Sequence, residues 1–343
     1  MAQLNTVRKG NSWSANGIKL GVSHQGLNRL NEQRFNFLKQ MGVEYLEIRI
    51  PSAQSSYQEL VNIKQKVEDA GLKVFEIMLN DKYGMFDSAL GRPGRDEEIK
   101  FYQNFIRDLS KAGIDTTTYA WHFMGFPSSR QSTTQCRDCV SRYVNMADVK
   151  DKPNAYDRVY SEDEIWDNYE YFIKQMLPVA EDAGVRLQLH PNDPPANYSG
   201  VAQIFNSTKA FRRAMEISNH SPYSGMLFCV GCWAEMFGED GNGEDVTQAI
   251  YEFGSRGHIY QVHFRNVSSP LPEFYETFPD NGYLNMYRIM RALGEANFNG
   301  MVVPDHVPHG QNTEGGHSHE EAYCLGYIRA LIQVILNFQP LTT

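Results

Sequence analysis

The chain is 343 residues long, 41% hydrophobic and 21% charged, with 32 basic residues against 41 acidic ones and a formal net charge of -9. A chain of this size buries a sizeable core, while its acidic balance argues against a nucleic-acid partner, which would draw its affinity from clustered Lys and Arg. No run approaches the ~18 apolar residues of a membrane span, and the five cysteines cannot all pair within one chain, so a membrane partner and a full disulfide framework are set aside. The opening MAQLNTVRKGNSWSANG lacks an apolar targeting stretch, and a reducing cytoplasm is the expected setting.

In chain order, short apolar runs alternate with amphipathic segments. Strands are expected at Ile18–Ser23, Val43–Ile50, Leu72–Leu79, Thr116–Phe123, Val185–Leu189, Met226–Phe228, Ile259–Val262 and Met301–Val303. Four of them begin at or shortly after a glycine suited to a left-handed helix C-cap: Gly42, Gly71, Gly113 and Gly184. The intervening helices carry the 3.6-residue period, with Leu60, Ile63 and Val67 on one face and Ile99, Tyr102, Ile106 and Leu109 on another. Ser161 and Glu164 have the spacing of a capping box. Eight strands alternating with helices predict an α/β fold, a closed (β/α)8 TIM barrel, and no Gly-rich phosphate fingerprint follows any strand.

No linker divides the chain, so residues 1–343 are read as a single TIM-barrel domain. Residues 124–160 form an insertion too long for a simple strand-to-helix connection. Leaving the carboxyl end of the fourth strand, it is expected to act as a lid over the mouth. Three basic residues lie near its exit from the strand, Arg130, Arg137 and Arg142, and Arg130 or Arg137 is expected to reach the substrate.

The last four strands end on His190, Cys229, His263 and Asp305. Imidazole, thiolate, imidazole and carboxylate are all transition-metal ligands, and a closed barrel brings successive strand ends around one mouth. The soft thiolate admits Fe2+ or Zn2+ among the ions such a set could hold. His190 opens HPNDPP, which holds Asp193 near the site, and His263 is followed by Arg265 and Asn266. An Arg fork two residues from a ligand suits a substrate carboxylate; paired with a protein acid, it would be structural instead. His306 follows Asp305 directly, and an imidazole in that place fits either a fifth ligand or a proton-transfer group.

At these residues the chain resembles the metal-dependent mannonate dehydratases of the xylose-isomerase-like barrel superfamily. The likeness runs in order through RDEEIKFYQNFIRDLSKAGI, HPNDPP, LFCVG, VHFRN, EFYET at Glu273–Thr277, NMYRIMRAL and PDH. It implies a (β/α)8 barrel with a divalent metal, usually Mn2+, in a homo-oligomer. It also implies His190, Cys229, His263 and Asp305 as ligands and His306 in acid–base chemistry. The implied substrate is a sugar acid that loses water across C2 and C3 to give a 2-keto-3-deoxy acid. Arg265 would neutralise its carboxylate, Asn266, Arg130 and Arg137 would bind it, and Asp193 would stand beside His306 as a second proton carrier.

The chain departs from the family pattern at four places. It reads AWHFMGFPSSRQS after strand four, where the family has an aspartate–tryptophan–Ser/Thr–Arg-Thr-type segment. Pro279 stands near a family His, Asn285 replaces an Asp, and Gly231-Cys232-Trp233 replaces a Gly-Ser pair. These changes keep a sugar isomerase or epimerase on the same barrel as the alternative function. Two further readings compete: a four-thiolate zinc site built from Cys136, Cys139, Cys229 and Cys232, and an inactive barrel kept as a binding module.

Overall fold

A computed structural model describes residues 17–123, 130–238, 241–310 and 318–337. Its first half runs β1 (Lys19–Gly26), α1 (Glu32–Gln40), β2 (Tyr45–Ile50), α2 (Tyr57–Asp69), β3 (Lys73–Leu79), α3 (Phe86–Ala89), α4 (Arg95–Lys111), β4 (Thr116–Ala120), β5 (Arg130–Cys136) and β6 (Cys139–Asn145). The second half runs α5 (Glu162–Ala183), β7 (Arg186–His190), α6 (Thr208–Ile217), β8 (Ser224–Cys229), α7 (Val230–Glu235), α8 (Val246–Gly254), β9 (Ile259–His263), β10 (Asn266–Val267), β11 (Glu273–Thr277), α9 (Met286–Glu295), β12 (Met301–Val303) and α10 (Ser318–Asn337).

The four cap glycines all take positive φ, between 66° at Gly184 and 79° at Gly71, so each helix stops where the sequence predicts and the next strand starts at Tyr45, Lys73, Thr116 or Arg186, shortly after its glycine. The predicted faces of α2 and α4 are buried, each fully buried Leu or Ile stabilising the fold by about 1.5–3 kcal/mol. The capping box at Ser161 forms only by half. Ser161 accepts from the Glu164 N–H at 3.3 Å, but the Glu164 carboxylate turns to Arg158 at 2.5 and 2.8 Å. A full capping box stands instead at Ser56 and Glu59.

Eight parallel strands follow one another in the order β3-β2-β1-β12-β9-β8-β7-β4. β3 and β4 face each other across the seam, which the Thr118 hydroxyl crosses by donating to Glu76 at 2.5 Å. A TIM-barrel interior is usually filled by branched aliphatic side chains. Here one inward layer is polar: Gln188 donates to Thr118 at 2.7 Å and to Gln261 at 3.0 Å, and Gln261 donates to Glu47 at 2.7 Å.

The insertion does not stay irregular. β5 and β6 form a hairpin around a two-residue turn at Arg137 and Asp138, both at positive φ. β6 pairs with β11 and β11 with β10, giving a four-stranded antiparallel sheet beside the carboxyl end of β9. Residues 124–129 of the insertion lie outside the described residues.

Candidate metal centre

His190, Cys229 and His263 are the last residues of β7, β8 and β9, and Asp305 follows β12 by two residues. The donor atoms of Cys229, His263 and Asp305 lie within 4.8 Å of one another, as do those of His190, Cys229 and Cys232. His190 Nδ1 is 2.7 Å from the Pro191 carbonyl. A carbonyl only accepts, so Nδ1 carries the hydrogen and Nε2 keeps its lone pair. His263 takes the opposite arrangement. Its Nε2 is 3.2 Å from Glu47 Oε2, while its Nδ1 faces Asp305 Oδ2 at 3.3 Å without a hydrogen-bond partner. Asp305 Oδ1 is a second buried atom with none. Orphaned buried polar atoms are rare in native proteins. Two such atoms within a set of imidazoles, carboxylate and thiol fit a divalent transition ion.

The two neighbouring thiols are driven apart. Burial opposes ionisation of Cys229, yet its hydrogen bond with Cys232 and the Arg265 guanidinium outweigh that and hold it well below the usual thiol range. Burial and the adjacent Cys229 push Cys232 well up. The Cys232 N–H donates to Cys229 Sγ at 3.4 Å at the start of α7. Cys229 is therefore the thiolate of the pair, the form that binds metal. Asp305, whose ionisation burial also opposes, is held well below the usual carboxylate range by His263 and His306.

A buried cation stands behind these donor groups. Arg265 is 2% exposed, with Nε 3.0 Å from Asp305, Nη1 2.5 Å from Glu235, and Nη2 3.0 Å from Asp193 and 3.3 Å from Cys232 Sγ. A Cβ on Gly231 would lie 2.3 Å from Arg265 Nη1, so the glycine gives the guanidinium its room. Arg142, reaching in from β6, meets Asp193 at 2.6 Å, Glu276 at 2.9 Å and Glu235 at 3.0 Å. Two buried guanidinium groups thus share one set of carboxylates, the arrangement that offsets the cost of taking such charges out of water.

Strand β12 ends at Val303, and the backbone turns through positive φ at His306, so Asp305 and His306 both face the mouth. His306 Nδ1 is 2.6 Å from Glu276 Oε1. Although burial works against it, the Arg142 guanidinium and then His306 hold Glu276 below the usual carboxylate range. A carboxylate accepts, so Nδ1 carries the hydrogen and Nε2 is left able to take a proton. A cavity of about 290 Å³ opens here, lined by Ser132, Ser141, Arg142, Glu276, His306 and His309 among others.

All four expected ligands, Asp193, Arg265 and His306 are brought together. The expected substrate grips fare differently. Arg265 is closed off by Asp193, Glu235 and Asp305, because a buried cation takes the nearest anions. Asn266 spends its amide on the carbonyls of Pro279 and Leu284. Arg137 pairs with Asp280 at the hairpin turn, and Arg142 reaches the centre in its place. The side chain of Arg130 lies outside the described residues. Cys136 packs with Phe278 and Cys324, whereas Cys229 and Cys232 pack with Leu227, so the two C-x-x-C pairs do not share a site.

Sequence reasoning missed Glu47, Glu235, Glu276 and His24, whose Nε2 is 3.7 Å from Asp305 Oδ1 and whose ring stacks on His306. The available signal was a Glu at the inward position of YLEIRI, with Leu46, Ile48 and Ile50 turned to the helices.

Fold and centre define a barrel enzyme of the xylose-isomerase-like class with a metal-competent mouth. A xylose isomerase domain protein from Planctomyces limnophilus shares the fold alone, with a TM-score of 0.64 at 13% identity over 94% of this chain and 99% of that one. Within that class the chain belongs to the D-mannonate dehydratase (UxuA) family, whose sequence profile matches residues 139–340. The mannonate dehydratase of Streptococcus pneumoniae (strain 70585) is 28% identical over 309 residues, 82% of this chain and 81% of the relative. The crystal structure of mannonate dehydratase from Streptococcus suis serotype2 superposes with a TM-score of 0.81 at 25% identity, covering 94% of each chain.

Proposed function

We propose that this protein is a metal-dependent sugar-acid dehydratase that converts a mannonate-like hexonate to a 2-keto-3-deoxy acid. One observation carries the reading: in a chain of the D-mannonate dehydratase family, the donors of Cys229, His263 and Asp305 converge beside orphaned buried atoms. His190, Cys229, His263 and Asp305 would hold the ion, with Mn2+ as the expected metal and Fe2+ or Zn2+ as competitors for the thiolate-bearing set. A bound divalent cation supplies positive charge where negative charge builds up on the substrate as it loses the proton alpha to its carboxylate.

The chain's own residues supply the rest. His306 moves a proton at Nε2 while Glu276 holds its Nδ1–H. Arg265 and Arg142 fix Asp193, Glu235 and Glu276 in place. In this reading the β5–β6 hairpin, within the 124–160 insertion, limits water at the mouth, and residues 1–343 act as one barrel unit. A homo-oligomer and a cytoplasmic setting belong to the same proposal; among the described residues no helix is long and apolar enough to cross a membrane.

An isomerase or epimerase on this barrel is the weaker reading, because the family match is to dehydratases. Screening hexonates and uronates with Mn2+ present separates the two. Keto-acid formation is expected with mannonate-type hexonates, and a panel yielding only products of unchanged mass would contradict the proposal.

A further inference from the structure

Among the described residues three arginines stand around the mouth, and two of them are spent. Arg265 meets four protein carboxylates and Arg142 three. Arg49, near the carboxyl end of β2, is different. Among the described residues only its Nε is held, by Glu47 Oε1 at 2.9 Å, and no acid takes its Nη groups. Its side chain is 25% exposed, against 10% for Arg142 and 2% for Arg265.

Arg49 is tied to the centre from two sides. The carboxylate that holds its Nε also meets His263 Nε2 at 3.2 Å. Its guanidinium lies 5.8 Å from the ring centre of Tyr83, and that ring is 6.1 Å from the ring of His190. Glu47 and Tyr83 therefore fix the guanidinium beside two of the expected ligands, leaving uncommitted the Nη edge that can grip a carboxylate in two parallel bonds.

We propose that Arg49 binds the carboxylate of the substrate, an inference that rests on the sugar-acid reading above. A monoanionic hexonate enters a mouth that already holds Asp193, Glu276 and Asp305 and needs a cation with donors to spare. Holding Nε in advance lowers the ordering cost of that grip. Arg49 thus takes the role the sequence suggested for Arg265.

The test uses the Mn2+-loaded full-length protein and two probes, D-mannonate and its neutral carboxamide, with binding measured by calorimetry. The wild type is expected to favour the carboxylate by ~10–100-fold, the size of a charge-assisted pairing. Arg49→Gln is expected to lose that preference while keeping its metal content and its affinity for the carboxamide. A merely structural role would weaken both probes alike, and that result overturns the inference, as does a preference left intact in Arg49→Gln. Should Arg49→Gln fail to fold, Arg49→Lys decides, since it keeps the charge without the fork: a reduced preference supports the assignment and a wild-type preference overturns it. Turnover is read on the same samples. A wild type that favours the carboxylate through Arg49 yet forms no keto acid would sink the dehydratase reading and leave the carboxylate site standing.

Discussion

Glu47 Oε2 lies 3.2 Å from His263 Nε2, and that contact decides which nitrogen His263 turns to the centre. Glu47 is saturated by the His24 N–H, Arg49, Gln261 and His263, so it is placed to orient the proposed ligand His263 and not to bind metal itself. Glu47→Ala is expected to weaken Mn2+ binding ~10–100-fold, the usual cost of losing a partner that orients a metal-ligating His. Titration of the metal-free protein measures it, and wild-type affinity would remove Glu47 from the account.

Gly231 is expected to tolerate no side chain. Its missing Cβ lies 2.3 Å from Arg265 Nη1 and 2.4 Å from Cζ, and Arg265 cannot retreat from the carboxylates around it. Gly231→Ala should destabilise the fold by about 1–3 kcal/mol, the range of core overpacking, and displace Arg265 from Asp305. Urea denaturation reads the first effect, and unchanged stability would mean the guanidinium has room to shift.

His306→Asn is expected to keep metal and fold while turnover falls ~10²–10⁴-fold, the scale of a general acid–base contribution. The Glu276 contact to Nδ1 predicts that Glu276→Gln also slows turnover with metal retained. Metal content is measured beside rate. If His306→Asn sheds its metal, His306 is a ligand and the proton-transfer role is lost.

The buried carboxyl of Glu76 gives a pH signature. Burial, then the nearby Glu47 charge, push it up from 4.5 to about 8. Between those values the unfolded chain has lost this proton and the folded one keeps it, so this group makes stability fall as pH rises. Glu76→Gln, which keeps an oxygen for the Thr118 hydroxyl, should therefore gain stability relative to wild type as pH rises through the interval. Urea denaturation of both metal-free proteins across it provides the check. A difference that stays flat or shrinks with pH would contradict the assignment.

His190, Cys229, His263 and Asp305 were legible because each ends an apolar run, and successive strand ends of a closed barrel must meet. Their supporting groups were not. Glu47 sits inside a strand, where its direction depends on a register that shifts between Leu46 and Glu47. Arg142 and Glu276 come from β6 and β11, which pair across more than a hundred residues, and the Arg137-Asp138 turn lacks the glycine that marks most two-residue hairpins. Spacing placed Arg265 within the cluster, where its Nε meets Asp305. Which anions it meets depends on where the chain after β7 and helix α7 deliver Asp193 and Glu235, and no local pattern encodes that.

The central claim is that this centre removes water from a sugar acid. The most direct measurement is the mass of the product formed from D-mannonate by Mn2+-loaded protein, beside a His263→Ala variant. A 2-keto-3-deoxy acid lighter by one water, formed by the wild type and not by the variant, is the predicted result. An isomer of unchanged mass, or the same dehydrated product from both proteins, would contradict it.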